Sequence, residues 1–194
     1  MVVGPMGAGK TTELMRLVER ATVAKRVCLV VKYSGDVRYT VNAVIQTHSG
    51  RRYVGETIAC SALSELVDKV GGYDLIAIDE GQFFGDLNSF CREQADNGMD
   101  IVVAALDGNF KREGFPQVNA LYAACDNFQK IPAICISCGA DAVFTHRNIA
   151  SQEEVVIGGM DLYEPVCRRC YGEKAAITET IRCEAAMDQY DDTV

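Results

Sequence analysis

The chain has 194 residues, enough for one domain, or one domain plus a small module, with a real buried core. Its composition is that of an ordinary globular protein, 48% hydrophobic and 24% charged. A formal charge of −8 argues against a nucleic-acid binder, and no run approaches the ~20 apolar residues of a membrane span or resembles a signal peptide.

The first motif is the most informative. Gly4-Pro5-Met6-Gly7-Ala8-Gly9-Lys10-Thr11 fits the phosphate-binding pattern of a glycine, four residues, then Gly-Lys-Thr. Gly7 and Gly9 let the backbone turn tightly, so that successive N–H groups face phosphate oxygens. Lys10 brings a full charge to the β- and γ-phosphates, and the Thr11 hydroxyl is suited to Mg²⁺. Val2-Val3 reads as the end of a strand, and Leu14, Leu17, Val18 and Ala21 recur at helical spacing, so a helix dipole points at the same place. Gly4 through Thr12 is therefore the candidate ATP and Mg²⁺ site. Only three residues precede Gly4, short for a strand, as expected of a trimmed or partial chain.

Strand and helix then alternate. Residues 26–32 (RVCLVVK) read as a strand buried on both faces. Leu63, Leu66, Val67 and Val70 form a helical stripe ended by Gly71-Gly72. Residues 75–79 are another buried strand, Leu87, Phe90 and Cys91 a helix stopping near Gly98, and residues 101–106 a third strand. Val118, Leu121, Tyr122 and Cys125 predict a further helix, and residues 128–137 a strand in which Pro132 signals an edge or entry position. Such alternation predicts an α/β fold of the P-loop NTPase-like kind, a mainly parallel sheet with flanking helices.

The strand at 75–79 runs into two acids, Asp79 and Glu80. An aspartate there orients Mg²⁺ in phosphate-loop proteins. Glu80 projects differently because side chains alternate along a strand, and it is placed to accept a proton from whatever attacks the γ-phosphate. Water as the attacker makes an ATPase, a substrate hydroxyl a kinase. Phe83 and Phe84 beside the candidate base, with Phe110 and Phe115 after the third strand, favour a pocket for a flat, uncharged base at the strand C-termini.

After Ser137 the pattern changes to turns, cysteines and glycines. Cys135-x-x-Cys138 and Cys167-x-x-Cys170 each offer two thiolates from one tight knuckle, together a closed structural Zn²⁺ site. Redox dithiols are the competing reading. The odd total of nine cysteines, without a secretion signal, fits a reducing cytosol. Cys28, Cys60, Cys91, Cys125 and Cys183 then read as buried thiols, and His48 and His146 as ordinary polar residues. The predicted organisation is a nucleotide-binding domain over 1–131, a zinc-binding module over 132–175 carrying a lasso-like loop, and a tail over 176–194, either a docked helix or a frayed acidic end.

In this order the motifs closely resemble the type II, cytosolic thymidine kinase family. The resemblance runs from Gly4-Pro5-Met6 to Cys170 and includes Lys32-Tyr33 with Asp36 and Arg38-Tyr39, residues 78–84 (IDEGQFF), residues 104–108 (AALDG) and Val156-Ile157-Gly158-Gly159. It implies transfer of the ATP γ-phosphate to the 5′-hydroxyl of thymidine, with deoxyuridine also accepted, for DNA precursor salvage in the cytoplasm. Glu80 would be the general base, Lys10 and Thr11 would serve ATP and Mg²⁺, and Asp79 would position the metal. Arg38 would lie near the phosphates and the reacting oxygen, and Asp36 near the sugar. Met6, Phe83, Leu106, Phe110 and Phe115 would line the nucleoside pocket, with Thr145, Val156, Ile157, Gly158 and Tyr163 in the lasso. A homotetramer and feedback inhibition by dTTP are further implications. Rivals are a motor-type NTPase, a zinc-ribbon nucleic-acid module using ATP as a switch, and another nucleoside kinase.

Overall fold

The computed structural model describes residues 1–35, 53–148 and 158–176. Among these residues, strands and α-helices follow in chain order: β1 (Val2–Gly4), α1 (Lys10–Val23), β2 (Cys28–Tyr33), β3 (Thr57–Cys60), β4 (Leu75–Ile78), α2 (Leu87–Asp96), β5 (Asp100–Leu106), α3 (Pro116–Tyr122), β6 (Gln129–Lys130), β7 (Ala133–Ile134), β8 (Asp141–Ala142), β9 (Phe144–Arg147) and β10 (Tyr163–Val166). The first six strands form one sheet in the order β3-β2-β4-β5-β1-β6. Every pairing in it is parallel.

Side-chain alternation assigns the two faces. Cys28 and Val30, Leu75 and Ala77, and Ala104 pack with Leu14, Met15, Val18 and Ala21 of α1. Leu29 and Val31, Ile76 and Ile78, and Val103 and Ala105 pack on the other face with Leu87, Phe90, Val118 and Leu121 of α2 and α3. Both faces are covered, which is why β2 and β4 are apolar almost throughout. The same alternation continues past the strands. Asp79 and Lys32 are the next positions on the α1 face, and both are buried.

There are three departures from the sequence-based expectations, the first two with a direct physical cause. The stripe at 63–70 forms two short 3-10 turns, Leu63–Leu66 and Val70–Gly72, rather than an α-helix. The Asp86 carboxylate takes the amides of Leu63 and Ser64 at 3.1 and 2.8 Å, fixing the tight turn, and Val67 is left 42% exposed. The strand expected over 128–137 is split. Ile131 N–H makes a last bond to Val3 O at 2.9 Å, then Pro132, lacking an N–H, lets the chain leave, and β7 pairs antiparallel with β8 instead. Finally, Cys125 is half-buried, whereas Cys28, Cys60 and Cys91 are buried as expected; Cys183 lies outside the described residues.

Beyond Pro132 the hairpin β7–β8 and the antiparallel pair β9–β10 form a small cysteine-bearing unit. Its buried cluster is Ala133, Cys135, Ala142, Val166 and Cys170. The chain is helical again from residue 168 to 176. Among the described residues no helix is long and apolar enough to cross a membrane.

Candidate active site

The phosphate-type loop joins β1 to α1 at the C-terminal edge of the sheet. Gly7 and Gly9 take left-handed φ of 74° and 81°, a conformation that costs a side-chain-bearing residue and frees the backbone to curl. At Gly4 a Cβ would fall 2.2 Å from Ile131 O. Pro5 and Met6 are buried and Gly7 and Gly9 exposed, so the loop rests on the protein and presents its glycines outward. Lys10, the first residue of α1, is buried and arches over the loop, its Nζ donating to Pro5 O at 2.8 Å.

One turn of alternation brings Asp79 to Thr11. The Thr11 hydroxyl lies 3.1 and 3.2 Å from the two Asp79 carboxylate oxygens. Burial pushes the Asp79 carboxyl well above its ordinary range, and the adjacent Glu80 charge adds to this; Thr11 and Lys10 pull the other way. A divalent cation beside this pair would restore the ionised form, so the donor set of a hydroxyl and a buried carboxylate suits Mg²⁺. Thr12 follows in the first turn of α1 and is exposed.

Glu80 sits just past β4 with φ 54° and ψ 42°, left-handed backbone in a residue that is not glycine. Gln82 secures it: Nε2 donates to Glu80 Oε2 at 2.5 Å, while Oε1 accepts Leu106 N–H at 2.9 Å. Gln82 is buried and ties the candidate base to the end of β5. Sequence reasoning assigns it no role, although a glutamine two residues after a candidate base is an available signal.

The other half of the cleft comes from the cysteine-bearing unit. Met6 N–H donates to the buried Thr145 hydroxyl of β9 at 3.1 Å, which joins the phosphate-type loop to that unit. Phe110 and Tyr163 are brought together by the buried Arg147, whose guanidinium is 3.6 Å from the Phe110 ring centre and 5.4 Å from that of Tyr163. Arg147 is the second residue that sequence reasoning does not single out. Phe83 packs tilted against Tyr33, ring centres 5.3 Å apart. Phe115 flanks α3 and packs against the main core, so its contacts are those of a core residue as much as of a pocket. Gly158 is half-buried, five residues before Tyr163. Arg38, Asp36, Val156 and Ile157 lie outside the described residues.

Cys135, Cys138, Cys167 and Cys170 place their sulfurs within 4.8 Å of one another. The Cys138 and Cys167 sulfurs are 3.6 Å apart, close to the edge of a tetrahedron built on ~2.3 Å Zn–S bonds. Backbone amides support the thiolate form: Cys170 N–H points at Cys167 Sγ at 3.5 Å and holds that thiol below its ordinary range. A four-sulfur set with amide donors fits a closed zinc site. His146 is not among the cluster's members; its Nδ1 lies 3.4 Å from Glu164 Oε1.

Comparison with known proteins agrees with this geometry. A family model described as thymidine kinase matches residues 1–171. The cytosolic thymidine kinase of Bos taurus is 40% identical over 176 residues, covering 91% of this chain and 72% of the relative. That of Gallus gallus is 42% identical over 174 residues, covering 90% and 76%. The thymidine kinase of Rabbit fibroma virus (strain Kasza) is 42% identical over 172 residues, covering 88% and 94%.

Proposed function

The chain belongs to the thymidine kinase family, and from that premise we propose that it transfers the γ-phosphate of ATP to the 5′-hydroxyl of thymidine, with deoxyuridine as a second acceptor. The observation that carries this reading is the meeting of Thr11 with both Asp79 oxygens, beside a Glu80 held in place by Gln82. A hydroxyl and a carboxylate suited to Mg²⁺ next to an oriented second carboxylate are the parts that phosphoryl transfer to an alcohol requires.

The loop from Gly4 to Thr12 takes the ATP phosphates, with the Lys10 charge on the transferred group. Thr11 and Asp79 hold Mg²⁺. Glu80 accepts the proton of the 5′-hydroxyl as its oxygen bonds to the γ-phosphorus and the bond to the β-bridging oxygen breaks, releasing ADP. Arg38 serves the phosphates and reacting oxygen, and Asp36 the sugar. Met6, Phe83, Leu106, Phe110 and Phe115 wall the nucleoside, and a segment with Thr145, Val156, Ile157, Gly158 and Tyr163 closes over it. Cys135, Cys138, Cys167 and Cys170 hold a structural Zn²⁺. Residues 1–131 and 132–175 act as a nucleotide-binding domain and a zinc-bearing nucleoside clamp. A cytoplasmic homotetramer inhibited by dTTP completes the reading.

An ADP-release assay with each of the four deoxynucleosides and deoxyuridine tests this. Release is expected to depend on thymidine, with deoxyuridine next. ATP hydrolysis at the same rate without any nucleoside would make water the attacker and refute the kinase assignment.

A further inference from the structure

Phe110 stands in the loop between β5 and α3, which closes on itself. Asn109 is buried, its N–H donates to Glu113 O at 2.8 Å, and its side-chain oxygen accepts the amides of Lys111 and Glu113 at 2.9 and 3.0 Å. These bonds fix the shape of the turn but leave its direction relative to the cleft to other contacts.

One such contact comes from the far side of the cysteine cluster. Tyr171 directly follows Cys170 in the helical stretch that starts at residue 168, and its N–H bonds back to Cys167 O at 2.9 Å. Its hydroxyl donates to the Phe110 carbonyl at 2.7 Å. The Tyr171 ring is itself held: the Arg112 guanidinium lies 4.5 Å from its centre, and Phe144 packs beside it at 5.6 Å. Arg112 adopts a left-handed φ of 68° in making this contact, a backbone cost that surrounding interactions must offset. The loop therefore meets Tyr171 twice, through the Phe110 peptide and through Arg112, while the Phe110 ring is stacked by Arg147.

We propose that Tyr171 is a positioning residue for the nucleoside: by holding the Phe110 peptide, its hydroxyl sets where the Phe110 ring stands in the wall of the pocket. The inference rests on the reading of Phe110 as part of that wall. Tyr171 belongs to the cysteine-bearing unit, whereas Lys10 and Thr11 lie on α1 and Asp79 follows β4. The effect should therefore fall on the acceptor and spare ATP.

Tyr171→Phe removes the hydroxyl and keeps the ring between Arg112 and Phe144. The expected result is a thymidine KM raised by about five- to tenfold, the loss of one well-made hydrogen bond, with kcat within about twofold and the ATP KM unchanged. Amide hydrogen exchange across residues 109–113 should quicken in the same variant, with the rest of the main sheet unaffected. An unchanged thymidine KM, or equal rises in the thymidine and ATP constants, overturns the proposal. Wild-type protein that turns over ATP but leaves thymidine untouched overturns the nucleoside reading instead, and the proposal with it. With a wild type active on thymidine, failure of the variant to respond counts against the role of Tyr171 alone.

Discussion

Glu80 combines an unfavourable backbone with a tightly held side chain. A left-handed glutamate costs on the order of 1 kcal/mol or more, and such strain persists where neighbours over-determine it. Here the neighbour is Gln82, bonded at once to the carboxylate and to the Leu106 amide. Glu80→Gln keeps the size and most of the hydrogen bonding but removes the proton acceptor. Turnover should fall by roughly 10²–10⁴-fold while thymidine still binds, read by steady-state kinetics beside calorimetric titration. Turnover near the wild-type level would remove the base assignment. Lys10, Thr11, Asp79 and Glu80 are legible from the sequence because phosphate and metal chemistry dictate their types and their places at strand ends. Gln82 and Arg147 are not, because their partners are fixed only by tertiary contact: a β5 amide, and an aromatic ring from a distant loop.

At the scale of elements, close approach decides what β1 can carry. Its last residue, Gly4, has no room for a methyl group: the nearest obstacle is the Ile131 carbonyl, and that backbone is pinned by the bond from Ile131 N–H to Val3 O. Gly4→Ala should force β1 and the start of the phosphate-type loop away from residue 131, costing about 1–3 kcal/mol. A lowered urea midpoint with an unchanged slope would register this; an unmoved midpoint would show that the carbonyl gives way freely. Strands β2, β4 and β5 are readable because a doubly covered parallel strand is a near-continuous apolar run. β3 is not, since it lies at the sheet edge and of its four residues only Cys60 is buried. The 63–70 stripe misleads because spacings of three and four fit a 3-10 turn as well as an α-helix, and the Asp86 cap that selects the tighter turn comes from 23 residues later in the chain.

For the whole molecule, the question is what keeps the cysteine-bearing unit in shape. Its buried cluster has five members, and two of them, Cys135 and Cys170, belong to the four-sulfur set. So small an apolar core cannot hold the hairpins and the helical stretch in register, whereas a closed zinc–thiolate site contributes ~10–16 kcal/mol of folding free energy. The unit reaches the cleft through Thr145 on Met6, through Arg147 on Phe110 and through Tyr171 on the Phe110 peptide. The unit also touches the phosphate-type loop, through that same Thr145–Met6 bond, through Ala8 against its buried cluster and where a Cβ on Gly7 would meet Pro165 and Met160, but Lys10 and Thr11 stand on α1 and Asp79 follows β4. With zinc at the four cysteines as proposed, a thiolate-zinc chelator that leaves Mg²⁺ in place, or Cys135→Ser, should thus raise the thymidine KM by about tenfold or more. The ATP KM should rise far less, and the main sheet should keep its hydrogen-exchange protection. Equal loss of both substrates would mean that the unit supports the entire cleft. Loss of ATP alone would reverse the division of labour between the parallel sheet and the cysteine-bearing unit.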